Sequence, residues 1–426
     1  MERASASIEL PVMHVKDVMD VIDVMDVMDG SPATADRIEV DALIVGGGVA
    51  GLFLLNALIA RGSQALLVES TALGTGQTTA SQGILHAGMK YSLGGLVGDD
   101  AAEAAAAAQL WEELLRDPSD GGDPALSEAK TLTRSCHLWR SKGLVAAAAL
   151  VGARLALTSR PELLASADRP SWLAGVTGDV LSLPERVVDP QSVLAAIANH
   201  HRRRVALGRV ASITRKGGGC EVSFADPRAP RVTADHVYLC AGEGNESLAA
   251  LAGVSTPMQR RPLHQAMLRG RLPMVFGHCI DGAKTRVTIT SDRGRGEEEV
   301  IWHIGGQVAE DGVAMGDAAF RQHAAKELSD ALGGFHLNDL EIATYRVNRA
   351  EPKTADGRRP PRGFESVDGA VSVVWPVKFV LAPKVAQTIA ARSSRSTRAG
   401  VVWPDTMSPP PVAQRPWQQV SWTNIP

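Results

Sequence analysis

This sequence predicts an α/β protein: a doubly wound, largely parallel sheet assembled from separated pieces, joined to a mixed α+β second domain. Three observations predict it. The stretch "RIEVDALIVGGGVAGLFLLNALIARGSQALLVES" reads as strand, glycine turn, helix and strand. Its two strands, "ALIV" and "ALLVE", are nearly continuous apolar runs, the pattern of parallel strands covered on both faces. Far downstream, "KTRVTITSDRG" and "EEEVIWHIGGQV" alternate as paired antiparallel strands do.

Taken in order, residues 1–37 form an acidic extension in which Asp17, Asp20, Asp23, Asp26 and Asp29 recur every third position. A period of three drifts around a 3.6-residue helix, so no apolar face persists and disorder is expected. Ile38–Val45 is the first strand, Ala50–Arg61 the helix, Gly62 its C-terminal cap and Ala65–Glu69 the second strand. "DDAAEAAAAAQLWEELLRD" is a helix by propensity, and strand is expected at Thr131–Trp139. "VVDPQSVLAAIANHHRRR" is a helix capped by Asp189 with Pro190 in its first turn. "RVASITRKGGGCEVSF" is a hairpin turning at Gly217–Gly219, and "ADHVYLCAGEGN" is a strand ending in a glycine turn. The Pro-rich tail after Arg398 is expected to run irregularly over the surface. The expected division is 38–100, 180–255 and 340–398 for the nucleotide-binding domain, 101–179 and 256–339 for the substrate domain, and 399–426 for the tail.

Composition narrows the function. With 45% hydrophobic and 21% charged residues the chain is an ordinary globular protein. A net charge of -3 supplies no field to gather nucleic acid or anionic lipid. No apolar run is long enough to span a bilayer. Cys136, Cys220, Cys240 and Cys279 form no C-x-x-C pair, so free thiols in a reducing, cytoplasmic setting are expected. His264, His278 and Cys279 show no metal-ligand spacing, and no metal is expected.

The glycines point to a dinucleotide. Gly46-x-Gly48-x-x-Gly51 follows a strand and opens a helix. Gly46 makes the tight turn, Gly48 admits a pyrophosphate, and Gly51 lets helix and strand pack closely. The helix N-terminus offers N–H groups to the phosphates. Glu69 ends the next strand roughly 20 residues on, where an acid accepts hydrogen bonds from a ribose. To that point FAD and NAD are both open. The small, hydroxyl-rich loop "STALGTGQTTASQGILHAGMKYSLGGL" favours FAD, because it lies where an extended dinucleotide continues toward its flavin.

In that loop the sequence resembles the D-amino-acid-oxidase-like (DAO) superfamily of FAD-dependent oxidoreductases, most nearly its L-2-hydroxyglutarate and glycerol-3-phosphate dehydrogenase branch. "QGILHAGMKY" is similar to the flavin-facing segment of the hydroxyglutarate enzymes, "HVYLCAGEGNESL" to the family's second FAD-domain strand, and "VDGAVSVVWPVKFVLAPKVAQTIA" to its last strand and helix. The resemblance covers about residues 38–395 and implies FAD contacts at Ser81, Gln82, Gly83, Ala241 and Gly242. Where the family places a glycine-rich turn, this chain has "WPVKF", and Lys378 is a candidate to stabilise the reduced flavin.

For the chemistry, His86 is the candidate base, since losing a hydride from an alcohol or amine requires a proton acceptor near neutral pH. Arg346 and Arg349 are candidates to grip a substrate carboxylate in two-point fashion. The expected activity is oxidation of a CH–OH or CH–NH group of a small, carboxylated molecule, with oxygen or a carrier as acceptor. Two alternatives stay open: an FAD-dependent hydroxylase that also uses NAD(P)H, and a flavin-fold binding protein without turnover.

Overall fold

The computed structural model describes residues 37–86, 99–142, 161–281, 284–360 and 362–425. The acidic repeat and Ala87–Tyr91 of the flavin-facing segment lie outside them. Two large sheets and one small one organise the rest.

The first sheet centres on Arg37–Val45, with Arg231–Leu239 parallel on one side and Ala65–Glu69 parallel on the other. Val205–Leu207 continues it beyond Ala65–Glu69, and Val371–Trp375 pairs parallel with Arg231–Leu239. The register aligns Val45 with Val68 and Leu239, and Leu239 with Val373. All four strands therefore deliver their carboxyl ends to one edge, where an open α/β sheet binds its ligand. The expected hairpin, Val210–Lys216 with Gly219–Phe224, closes through Gly217 and Gly218 at φ 60° and 87°, the two left-handed positions that a tight two-residue hairpin turn requires.

Helix Val49–Ala60 is apolar around nearly its whole circumference because it is covered on both sides. Ile44 and Leu67 of the sheet meet one side of this core, and Ile389 and Ala390 of helix Ala382–Ala390 meet the other. Helix Asp99–Leu114, expected in the substrate domain, packs here instead. Its alanines leave room for Trp111, which sits edge-on to Phe53 at 5.0 Å, stacks on Phe379 at 5.5 Å and donates its Nε1–H to Val380 O.

The second sheet orders its strands Thr423–Asn424, Glu341–Pro352, Met258–Gly270, Val300–Gly305, Lys284–Arg293, Gly277–Asp281, Cys136–Trp139, Val180–Leu183 and Glu162–Leu163. Its spine is the long antiparallel pair running from Met258 opposite Pro352 to Arg269 opposite Glu341. Helix Asp317–Ala331 sends Phe320, Ala324 and Leu328 into the same core as Trp302 and Trp139. Val180–Leu183 and Glu341–Pro352 thus belong to this sheet, not to the nucleotide-binding pieces at 180–255 and 340–398. Both pair antiparallel with strands of the second sheet, and that pairing sets their allegiance. The small sheet joins Ile84–Leu85 and Thr131–Thr133 to Arg186–Val188.

The tail is irregular over most of its length, as expected, but it is anchored. Trp403 is buried and donates to Leu67 O at 3.0 Å, Leu73 bridges Val412, and Thr423–Asn424 joins the second sheet. Burial of an indole outweighs the proline content here. All four cysteines are free and buried. Among the described residues no helix is long and apolar enough to cross a membrane.

Candidate active site

A cleft of about 720 Å³ opens at the carboxyl edge of the first sheet. Gly46, at φ 111°, donates its N–H to Val68 O, and a Cβ there would stand 2.7 Å from the backbone of Ala241. A Cβ on Gly51 would meet Gly46 O at 2.0 Å. The first turn, the helix and the second turn touch backbone to backbone, which only glycine permits. Gly48, the N-cap residue, has extended backbone and no side chain over the helix mouth. Glu69 is 9% exposed, and its Oε2 accepts from Gly47 N–H at 2.7 Å while Oε1 accepts from Thr71 N–H at 2.9 Å. Oε1 also accepts from the Ser70 and Thr71 hydroxyls at 3.3 Å, so Oε2 is the oxygen that keeps a lone-pair site for a further hydroxyl donor.

Asn245, fully buried, fastens the second turn: its Oδ1 accepts from Ala241 N–H at 2.7 Å and its Nδ2 donates to Val374 O at 3.2 Å. The WPVKF turn forms the cleft's far end, with Lys378 on its wall. Val377 sits at φ 55°, a left-handed position that a β-branched residue rarely adopts. That is the physical content of the departure from a glycine-rich turn.

The opposite wall comes from the second sheet. Leu263, Gln265, Val347 and Arg349 line it. Behind Gln265 lies a buried polar network in which His303 Nε2 contacts Gln265 Oε1 at 2.6 Å and both contact the Tyr345 hydroxyl. Burial, reinforced by the Arg415 charge, pulls His303 down to about 3, and burial pushes the Tyr345 hydroxyl far up, so both are neutral near pH 7. Arg349 reaches Glu310 Oε1 with both terminal nitrogens at 3.3 Å and donates from Nε to Arg261 O. Glu351 is taken by Arg261 through bonds of 2.7 and 2.9 Å. Gln82 ties the two layers together by donating to Thr288 O and His303 O.

His86 follows the short strand Ile84–Leu85 and is not among the cleft-lining residues. Its Nδ1 stands 3.7 Å from Glu185 Oε2, and His278 Nε2 stands 3.5 Å from the same oxygen. Burial works to raise the Glu185 carboxyl, but His278 and His86 outweigh it and hold the group well below the usual carboxylate range.

The family described as FAD dependent oxidoreductase (DAO) matches residues 41–348. Over 361 residues the chain is 35% identical to the probable FAD-dependent oxidoreductase PA4991 of Pseudomonas aeruginosa, an alignment covering 83% of this chain and 91% of that one. The chain belongs to the DAO family of FAD-dependent oxidoreductases. The crystal structure of PA4991 superposes with a TM-score of 0.74 at 31% identity, covering 90% of this chain and 98% of its own. Glycine oxidase from Geobacillus kaustophilus shares the fold at 15% identity and a TM-score of 0.58, over 85% and 100% of the two chains. Likeness to one component of the anaerobic glycerol-3-phosphate dehydrogenase of Escherichia coli is confined to 171 residues at 25% identity, 38% of this chain and 28% of that one.

The cofactor of this family is FAD, and the cleft fits it. The glycine contacts leave a bare backbone cradle for a pyrophosphate at the helix mouth, and Glu69 stands beside it for the ribose. Of the residues singled out by sequence, Gly46, Gly48, Glu69, Ser81, Gln82, Ala241, Gly242, Lys378 and Arg349 line the cleft. Gly51 supports it from behind. Gly83 does so too: at φ 68° it presses on Val188, where a Cβ would meet the carbonyl oxygen at 2.0 Å.

Arg346 must be reassigned. Side chains alternate along a strand, so Tyr345, Val347 and Arg349 share one face and Arg346 takes the other. There it donates to Val313 O at 2.9 Å and Met315 O at 2.6 Å. His264, opposite Arg346 in the register, likewise leaves the cleft, and its Nδ1 faces Gly312 O. Gln265, Tyr345, His303, Asn245 and Glu185 escaped sequence reasoning. Only Glu185 carried a signal, as an acid set within the apolar run "VLSLPERVV".

Proposed function

We propose that this FAD-dependent oxidoreductase oxidises the CH–OH group of a small 2-hydroxy acid, held between the flavin end of the cleft and the second sheet. When bound, FAD supplies the acceptor for the hydride. Arg349 grips the substrate carboxylate, exchanging the long contacts to partly exposed Glu310 for shorter, two-point bonds. Gln265, fixed by Tyr345 and His303, holds the substrate through its amide. The hydroxyl proton is assigned to His86 on the likeness of its segment to the flavin-facing stretch of the hydroxyglutarate enzymes, although His86 is not among the residues that line the cleft. Lys378 and Ser81 position the flavin end. The CH–OH reading is supported by the likeness of "QGILHAGMKY" to the hydroxyglutarate enzymes and by the partial match to the glycerol-3-phosphate dehydrogenase component.

The observation that carries the proposal is that Arg349 lines the same cleft as the glycine cradle. An anaerobic bleaching screen of the purified flavoprotein tests it. 2-Hydroxy acids should bleach the flavin bands, and uncharged alcohols of the same length should not. Bleaching by amino acids alone would move the substrate class to CH–NH, and bleaching only by NAD(P)H would overturn the proposal in favour of a hydroxylase.

A further inference from the structure

We propose that His86, Glu185 and His278 form a binding site for a divalent transition-metal ion of the zinc class. The three ligand atoms, His86 Nδ1, Glu185 Oε2 and His278 Nε2, lie within 4.8 Å of one another. The two nitrogen-to-oxygen separations are 3.7 and 3.5 Å. Two ligands held about 2.0–2.1 Å from a tetrahedral ion are separated by about 3.4 Å. The spacing is therefore that of atoms facing a shared point.

The donor set has the same meaning. Two imidazoles and one carboxylate suit zinc and its neighbours, whereas calcium and magnesium prefer oxygen alone. Three ligands among the described residues match the protein share of zinc sites that take up a further ligand. The flanking thiols stay out: Cys136 Sγ faces the backbone oxygen of Glu185, and Cys279 Sγ faces Asp281.

The scaffold is already rigid. His278 lies within Gly277–Asp281, and its Nδ1 meets Thr288 Oγ1 at 2.9 Å. In the metal-binding tautomer Nδ1–H donates to that hydroxyl, and the Nε2 lone pair faces the ion, the outer contact that commonly orients a histidine ligand. Glu185 is pinned between Val180–Leu183 and Arg186–Val188, with its N–H on Leu183 O. His86 enters from Ile84–Leu85, which pairs with Arg186 and Val187. Glu185 and His278 are almost wholly buried, and His86 at 19% exposure is the side from which an ion enters.

The binding inference stands on this cluster alone; one consequence rests on the proposed role of His86. An imidazole bound through Nδ1 carries its proton on Nε2 and accepts no other. Filling the site should therefore slow flavin reduction.

The test uses the FAD-loaded full chain, stripped with a chelator and returned to Zn²⁺. About one equivalent of zinc should survive gel filtration, and zinc-edge X-ray absorption should show a shell of nitrogen and oxygen with imidazole outer scattering and no sulfur. Glu185→Gln and His278→Gln should each weaken zinc retention at least about tenfold while keeping the flavin, which reports that they fold. Less than a tenth of an equivalent in the wild type would overturn the site, as would sulfur in the shell or retention unmoved by either substitution. If zinc binds as expected but leaves bleaching rates unchanged, the site stands and the base role of His86 falls.

Discussion

The two walls of the cleft are built by opposite strategies. The first-sheet wall is backbone. Its glycines, turns and helix mouth present bare N–H groups to the cleft, and Asn245 and Glu69 accept hydrogen bonds that hold that backbone in place. The second-sheet wall is side chain, with Arg349, Gln265, Tyr345 and His303 projected from strands far apart in the chain. Backbone recognition tolerates almost any side chain that keeps its distance and fails when one intrudes. Side-chain recognition retunes with a single substitution, so in the proposed function substrate choice falls to the second wall.

If that contrast is right, the largest effect of any single change comes from adding one carbon to the backbone wall. Gly51→Ala puts a Cβ 2.0 Å from Gly46 O. Relief requires moving the helix off the strand that carries the turn, at a cost of several kcal/mol, roughly 1–3 or more of it by overpacking alone. The expected outcome is a protein that purifies largely without flavin, read from its absorbance and from FAD titration. A Gly51→Ala protein that kept its flavin would remove the close approach from the account.

The second wall is instead sensitive to acid. His303 is neutral in the fold because burial, helped by Arg415, holds it at about 3, while the unfolded chain titrates near 6.5. Its folded value is depressed, so the unfolded state binds the extra proton between those values. Stability is whole above about pH 6.5 and is lost as pH falls toward 3, by up to roughly 5 kcal/mol at about 1.4 kcal/mol per unit. Denaturant unfolding from pH 7 to pH 4 should show the decline. His303→Gln, which keeps a polar partner for Gln265 but cannot titrate, should flatten that part of the profile.

Arg349 and Arg346 sharpen the comparison within one strand. Arg349→Ala should lower kcat/KM for the carboxylated substrate about 10- to 100-fold, the effect of about 1.5–3 kcal/mol from a charge-assisted contact. Arg346→Ala loses two bonds to backbone carbonyls on the other face and should register in stability rather than in KM. Steady-state kinetics beside melting curves separate the two.

That pair also shows what was legible in advance. The glycine cradle, the crossover helix, the Gly217–Gly218 hairpin and the Asp189 cap are written in neighbouring residues, where spacing alone specifies geometry. Which arginine faces the cleft depends on the phase of a strand, and one residue of slip exchanges the faces. The partnership of Gln265 with Tyr345, and of Glu185 with His86 and His278, depends on pairing between segments about 80 to 190 residues apart, to which local pattern is blind. Sheet membership is hidden for the same cause: Glu341–Pro352 alternates like any strand, and only its partner Met258–Gly270 assigns it.

The smallest effect is expected where the two strategies meet, at the WPVKF turn. Val377 lines the cleft at φ 55°, a conformation costing a residue with a branched Cβ about 1–2 kcal/mol. Lys378 N–H closes the turn on Pro376 O at 2.7 Å, so the strain lies in a tight loop with little room to relax. Val377→Gly removes the steric cost but adds unfolded-state freedom of about 0.5–1 kcal/mol and gives up the valine's packing against Trp375 and Val380. The terms nearly cancel, and the melting temperature should move by no more than a few degrees. Flavin affinity separates the two walls at this point. If the turn works through its backbone, glycine should leave FAD binding intact; a clear loss would mean that the branched side chain, held in a strained conformation, shapes the flavin end itself.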